Sequence, residues 1–324
     1  MSPQKFLKFF PEVRMAFAYG SGVFKQKSHL DPSKNMLDLI LVTDNPHKWH
    51  KMNLKMNRKH YSFLKLLGPK IISDVQDKFG AKVYYNTLVE LDGRLIKYGV
   101  ISEDSLINDL FDWDTLYISG RLHKPVQQII SSPNDKLLNS ALVTNIHSAM
   151  HTALLLLPGE FSEIDFYKTL AGLSYGGDFR MSLGEDKNKI ENIVIPNLDK
   201  FRELYEHAML NSGEYLHWNK TTAILEQDCS PISVCYHLNL LPKRLLFGIV
   251  NSQNYDGRHR DTEEVLRSLA HNQITYPKTV KLELEKIVRS SSWSQSAKGV
   301  LTAGLTKSFQ YSGRKMKKYF KSLG

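Results

Sequence analysis

Ala18-Tyr19-Gly20-Ser21-Gly22, followed by Met36-Leu37-Asp38-Leu39-Ile40-Leu41-Val42, decides how this chain folds. An apolar run from Met15 to Tyr19 breaks into a Gly-Ser-Gly turn, and a second apolar run then carries one carboxylate, Asp38. Short apolar runs bounded by turn residues read as buried strands, here over 13–19 and 36–43. Glycines let a backbone turn sharply and bring its N–H groups close to a phosphate. A carboxylate on the neighbouring strand can hold Mg²⁺ against that phosphate. The pattern points to a nucleoside triphosphate site, with Tyr19, Gly20, Ser21 and Gly22 binding nucleotide and Asp38 holding the metal.

Outward from this segment, Pro46 begins a periodic stretch through Leu67 that predicts a helix ending at Gly68-Pro69, and Ile71 to Phe79 predicts a second, closed by Gly80. Lys82 to Leu91 and Arg94 to Ile101 read as a hairpin with Asp92-Gly93 as its two-residue turn. Beyond Asp104 the pattern is mostly helical, over 104–111, about 134–157, 163–173, 198–210 and 262–270. Ser162-Glu-Ile-Asp165 has the form of a helix start. The helix, short helix and Gly176-Gly177 turn allow a winged-helix-like module.

Gly-Ser, a spacer and an acidic strand resemble the core of polymerase-β-type nucleotidyltransferases. The expected fold class is therefore α+β, with such a core over 1–112, a mostly helical second domain over 113–285 and a basic tail over 286–324. That core pattern wants a second carboxylate two residues on, where side chains share a strand face; Ile40 stands there instead. Asp44 lies six residues from Asp38, roughly 20 Å along an extended strand. A second metal ligand must come from Glu90 or Asp178, and Asp178 is the one expected. Lys97, midway along the second hairpin strand, is the candidate for neutralising the triphosphate in catalysis; Lys65 and Arg180 are candidates for phosphate binding and Asn86 for a polar contact.

At 324 residues the chain can build two cores. Its longest apolar stretches, such as Ala153 to Leu157, fall far short of the ~20 residues that span a bilayer. Two cysteines, Cys229 and Cys235, imply a reducing compartment without disulfides. His147 and His151 lack the intervening Glu of a zinc protease, and His47 and His50 flank Trp49, so both pairs read as structural. Met1 to Phe10 shows neither a secretory signal nor an Arg/Ser-rich presequence pattern.

Of the net charge of +10, nine basic residues fall between Lys286 and Gly324, where no acidic residue occurs. Ser292-Trp-Ser-Gln295 has capping-box form, and Trp293, Ala297, Leu301, Leu305 and Phe309 then recur every four residues. With Lys315, Lys317 and Lys318 on the polar side, this reads as an amphipathic segment lying on an anionic membrane surface.

Six segments in order carry a resemblance to a whole family: Met36 to Pro46, Asn57 to Lys65, Leu67-Gly-Pro-Lys70, Gly93 to Ser102, Gly176-Gly-Asp-Phe-Arg-Met181 and Ser290 to Gly299. Together they resemble the mitochondrial phosphatidate cytidylyltransferases, the translocator assembly and maintenance family of the inner membrane. The resemblance implies a Mg²⁺-dependent enzyme converting CTP and phosphatidic acid to CDP-diacylglycerol and pyrophosphate, toward phosphatidylglycerol and cardiolipin. It also implies a peripheral location on the matrix side of the mitochondrial inner membrane. A nucleotidyltransferase acting on RNA would use the same core and a basic tail, but no row of stacking aromatics lies on a basic face, so no nucleic-acid partner is expected. A non-catalytic membrane assembly factor is the third reading, and a second copy of the chain is the other partner considered.

Overall fold

Strands buried on both faces read as nearly continuous apolar runs, and the runs around the Gly-Ser-Gly turn behave so. In the computed structural model, which describes residues 2–25, 32, 35–183 and 188–304, β1 (Met15–Tyr19) pairs antiparallel with β2 (Leu37–Thr43). Helices α1 (Pro46–Asn57) and α2 (Gly68–Lys78) follow, then the hairpin β3 (Val83–Leu91) and β4 (Arg94–Ser102). Asp92 and Gly93 both take positive φ, 51° and 72°, as a two-residue hairpin turn requires. Helices α3 (Glu103–Asp112) and α4 (Ser119–Leu122) lead to β5 (Gln127–Ile130), which completes a five-stranded sheet in the order β3-β4-β2-β1-β5. Only β2 and β4 run parallel; the other neighbours are antiparallel.

The predicted helix from Pro46 to Leu67 ends ten residues early, at Asn57. The Asn57 side chain donates to Phe9 O at 2.7 Å, and the chain then turns so that Tyr61 and Leu64 pack with Ile72 and Tyr84. Single turns at Arg58–His60 and Phe63–Leu66 carry them there.

The second half is built from α5 (Lys136–Leu154), β6 (Glu160–Ser162), α6 (Glu163–Gly172), α7 (Arg180–Leu183), α8 (Lys189–Val194) and α9 (Leu198–Leu210). Strands β7 (Leu216–Asn219) and β8 (Ile224–Gln227) then join β6 in a three-stranded antiparallel sheet ordered β6-β8-β7. Helices α10 (Pro231–Asn239), α11 (Lys243–Gln253), α12 (Thr262–Ala270) and α13 (Thr275–Ala303) close the order. As predicted, the Ser162 hydroxyl caps α6, accepting from Asp165 N at 3.1 Å.

Alternation sorts the sheet's side chains onto two faces. Phe17, Ile40, Val42, Val83 and Ile101 pack under α3 and the start of α5. Ala16, Leu39, Leu41, Tyr98 and Val100 pack against Phe6, Phe10 and Trp49. A separate and larger core fills the helical half, from Trp113 to Val288.

Helix α13 corrects the expected tail. The boundary at 286 falls inside this 29-residue helix, and Ser292 is no cap: its hydroxyl donates to Arg289 O at 3.1 Å within continuous helix. Gln295, expected to complete a capping box, instead covers the open edge of the sheet. Its Oε1 accepts from Ala81 N at 2.9 Å and its Nε2 donates to Val83 O at 3.2 Å. Lys298 Nζ donates to Gln76 O and Phe79 O at 2.9 and 2.6 Å. Trp293 and Leu301 are exposed, Trp293 stacking on Phe179 at 4.1 Å, while Leu305, Phe309, Lys315, Lys317 and Lys318 lie outside the described residues.

Gln295→Leu should strand a buried donor and acceptor at the sheet edge. The expected loss is about 2–4 kcal/mol of unfolding free energy, read as a lower urea midpoint with the slope unchanged.

Candidate active site

Three strands bring one row of side chains together. Register pairs Tyr19 of β1 with Asp38 of β2, and Asp38 with Lys97 of β4, so all three share the face on which Tyr85 also stands. Asp38 and Lys97 are half-buried positions in otherwise buried stretches of strand. Lys97 Nζ lies 4.3 Å from the centre of the Tyr85 ring, and the Tyr85 and Tyr19 hydroxyls are 3.5 Å apart. Burial, with the Asp38 charge, holds the Tyr19 hydroxyl protonated far above the usual phenol range.

The Gly20–Gly22 turn sits over this row. Gly20 adopts φ +74°, and a Cβ on it would come 3.5 Å from Asp38 Oδ2. At Gly22 a Cβ would collide with the Met36 carbonyl at the approach to β2. Arg94 Nη2 donates to Gly22 O at 2.6 Å and Asn35 Nδ2 to Ser21 O at 3.2 Å, which fixes the turn from outside. The turn opens into a small pocket lined by Tyr19, Gly20, Phe24, Arg121, Lys124 and Asn197.

Cations converge there from both halves. Asp109 accepts from the backbone N–H groups of Thr115, Leu116, Ile118 and Ser119 at 2.8, 2.9, 3.2 and 2.9 Å. That single carboxylate shapes the loop carrying Tyr117 and starts α4, whose Arg121 lies 4.5 Å from the Tyr19 ring. Lys124 is buried, donating to Gly120 O and, at 2.8 Å, to Ser174 Oγ. Burial first, and then Arg121 and Lys189, push its ammonium far below the ordinary lysine range. From the helical half, Gly177 (φ +79°) lays its loop against the α13 backbone at Glu285 and presents Arg180. Burial alone would raise the Tyr117 hydroxyl; Arg180 and Lys97, helped by Arg121, outweigh it and bring the group below its usual value. So positive a site is built for a polyanion.

The predicted site residues divide. Tyr19, Gly20, Ser21, Gly22, Asp38 and Lys97 stand together, and Arg180 reaches the same group through Tyr117. Asp178 is taken by Arg180: Nε donates to Oδ1 at 2.9 Å and Nη2 to Oδ2 at 2.6 Å, with the carboxylate 3% exposed. Both of its carboxylate oxygens therefore serve to aim the guanidinium. Asn86 pairs with Tyr98 and is buried on the opposite face of the sheet from Asp38. Lys65 lies on the turn that packs with α2, also behind the sheet. Glu90 is exposed near the hairpin end. Among the described residues no cluster of three or more His, Cys, Asp or Glu side chains could hold a metal.

Both histidine pairs dissolve into structure. His50 is buried between the Tyr61 hydroxyl and Gln76 Oε1 at 2.8 and 2.9 Å, burial lowering its pKa to about 4. His151 meets His237 at 2.9 Å instead of His147. The residues missed from sequence are Asp109, Arg121, Lys124 and Lys189. Arg121 and Lys124, three apart just before Pro125, were the one local signal.

A family model described as mitochondrial phosphatidate cytidylyltransferase matches residues 3–318. Curated proteins of that name are similar along nearly their whole length. The one from Xenopus laevis is 49% identical over 99% of this chain and 95% of its own. That from Bos taurus is 49% identical over 98% and 94%, and that from Caenorhabditis elegans 44% over 96% and 95%. A nucleotidyltransferase-like protein from Exiguobacterium sibiricum aligns over 92% of this chain and 78% of its own at 11% identity, with a TM-score of 0.25, too slight a likeness to bear on the fold.

Gly22→Ala should displace the start of β2 beneath the turn and weaken nucleoside triphosphate binding at least about tenfold by calorimetry, since one misplaced carboxylate or amide costs more than 1.4 kcal/mol. Gly299→Ala, where an added Cβ meets nothing within 4 Å near the C-terminal end of α13, should leave binding unchanged and add about 0.5–1 kcal/mol of stability.

Proposed function

The chain belongs to the mitochondrial phosphatidate cytidylyltransferase family, and from that membership we propose how its own residues carry the reaction. The enzyme converts CTP and phosphatidate to CDP-diacylglycerol and pyrophosphate. The observation that carries the mechanism is the register that sets Asp38 against Lys97 under the Gly20–Gly22 turn.

A phosphate oxygen of phosphatidate attacks the α-phosphorus of CTP, the bond from that phosphorus to the bridging oxygen breaks, and its electron pair leaves with pyrophosphate. A phosphate monoester is already largely ionised near neutral pH, with a second pKa of about 6, so the nucleophile needs no protein base. What the transfer asks for is positioning and charge. Backbone N–H groups of Gly20, Ser21 and Gly22, with the Ser21 hydroxyl, hold the triphosphate. Lys97, Arg121 and Arg180 offset the charge that builds on the departing pyrophosphate, and Asp178 keeps Arg180 aimed. Lys124, its charge disfavoured by burial and then by Arg121 and Lys189, is favoured in its charged form by an arriving phosphate.

The residues fit Mg²⁺ carried in by the triphosphate: one carboxylate, Asp38, lies where a Cβ on Gly20 would come within 3.5 Å of its Oδ2, so the glycine leaves that flank of the carboxylate without a side chain, and phosphate oxygens and water would complete the shell. Bound there, Mg²⁺ would neutralise phosphate charge.

The first half reads as a polymerase-β-type nucleotidyltransferase core and the second as winged-helix-like. The order α5, β6, α6, α9, β7, β8, with β8 between its partners, supports the latter. Among the described residues no helix is long and apolar enough to cross a membrane. We place the protein peripherally on the matrix side of the inner membrane, its six basic residues beyond Gly304 facing anionic lipid. A homo-oligomer is not required by the site.

Purified protein given CTP, Mg²⁺ and phosphatidate should release pyrophosphate and CDP-diacylglycerol; given RNA in place of phosphatidate it should release none, and no turnover on either would leave the assembly-factor reading. Asp38→Asn should nearly abolish turnover with the melting curve intact, whereas half of wild-type turnover at saturating Mg²⁺ would remove Asp38 as metal ligand. Ser21→Ala and Lys97→Ala should each lower kcat/KM for CTP by ~10²–10³. Truncation after Gly304 should weaken co-sedimentation with anionic liposomes while CTP binding survives.

A further inference from the structure

Between Asp44 and Asp74 the chain carries seven lysines and arginines and no acidic residue. The turn Phe63–Leu66 lies in this stretch and divides its side chains sharply. Leu64 is buried with Tyr61, Ile72 and Tyr84, but Phe63, Leu66 and Leu67 are 53%, 73% and 57% exposed. Ser62 Oγ donates to Leu301 O at 3.0 Å, which sets the turn beside the last turn of α13, where Val300 and Leu301 are also exposed. Helix α13 is inverted here: Gln295, Lys298 and Thr302 are buried and the apolar residues face out, the reverse of a helix lying on its own core.

An exposed apolar patch rimmed by polar groups marks an interaction surface. The rim is cationic, with exposed Arg58, Lys59 and Lys70 and the half-buried Lys65 around it. Protein interfaces are depleted in lysine, whereas leucine and phenylalanine backed by lysine characterise surfaces that lie in anionic bilayers. His60 Nδ1 lies 3.0 Å from the Tyr98 hydroxyl, and Tyr98 follows Lys97 in β4 but faces the other way, so the patch lies behind the sheet that carries the active-site row and leaves that row uncovered. The described chain also ends here, Gly304 lying against Ser62, ahead of twenty residues with six Lys and Arg and no acid.

We propose that Phe63, Leu66, Leu67, Val300 and Leu301 form a membrane-docking surface of the folded body, entering an anionic bilayer with the surrounding Lys and Arg at headgroup level. This surface acts together with the segment beyond Gly304 and holds the enzyme on the bilayer that carries its lipid. The inference rests on the reading of the chain as an enzyme of a lipid phosphate.

The test uses the full-length chain and Leu66→Asn/Leu67→Asn, both exposed positions outside the catalytic row. Partition is measured by co-sedimentation with vesicles of phosphatidylcholine alone and with phosphatidylglycerol added. The double variant should melt as wild type does and partition at least about tenfold more weakly onto anionic vesicles. Its turnover on vesicle phosphatidate should fall in parallel, with turnover on monomerically dispersed short-chain phosphatidate unchanged. Leu66→Trp should show a blue-shifted emission on anionic vesicles. Wild-type partition by the double variant would overturn the docking surface. So would a wild-type dimer that the variant converts to monomer, since a second copy would then cover the patch. If wild type partitions as expected yet converts no phosphatidate in either form, the enzymatic reading fails and the docking surface stands.

Discussion

Parallel pairing of β2 with β4 sets Asp38 opposite Lys97, and a slip of one residue would turn Lys97 onto the face occupied by Trp49 and Tyr98. The register is protected by what surrounds it. Leu37, Leu39 and Leu41 fill one face and Ile40 and Val42 the other, so any slip would exchange buried contacts on both sides at once. The functional row thus inherits its precision from strands buried on both faces, and the two charged side chains are tolerated because they sit at the end of the sheet where a pocket begins.

The remaining charges reach the site by a different route, through loops pinned by buried polar groups. Asp109 gathers four backbone amides to place Tyr117 and α4. Asp178 clamps Arg180, and Gly177 presses that loop on α13. One site is therefore assembled from a rigid sheet and two loops of separate origin. Its cations outnumber its two carboxylates, Asp38 and Asp178, an imbalance that a polyanion offsets.

How much of this was legible follows from the physics of each signal. The Gly-Ser-Gly turn, Asp38, the Asp92-Gly93 hairpin and the Ser162 cap were readable because each is local: the residues that cause the structure adjoin it in sequence. Lys97 was readable as an isolated charge in an apolar strand. Asn86 was misplaced because β3 is apolar on both faces, so its alternation carries no mark of which side meets Asp38. The clamp of Asp178 on Arg180 was not readable because a carboxylate engaging a residue two positions away looks, in sequence, like any acidic residue near glycines. The start of the tail was misjudged because Ser292 and Gln295 satisfy a local capping pattern, while their actual partners belong partly to a strand more than two hundred residues distant.

That distance has a kinetic side. Val83 opens β3, the edge of the five-stranded sheet, and Gln295 reaches its carbonyl across 212 residues of chain. An uncovered edge is a template for pairing with another chain, and contacts so remote in sequence form late because the intervening chain must close first. During synthesis or refolding, the sheet that carries the active site stands with one flank open until nearly the whole polypeptide exists. Holding the nascent chain apart from its neighbours during that interval is a requirement set by where α13 falls in the sequence.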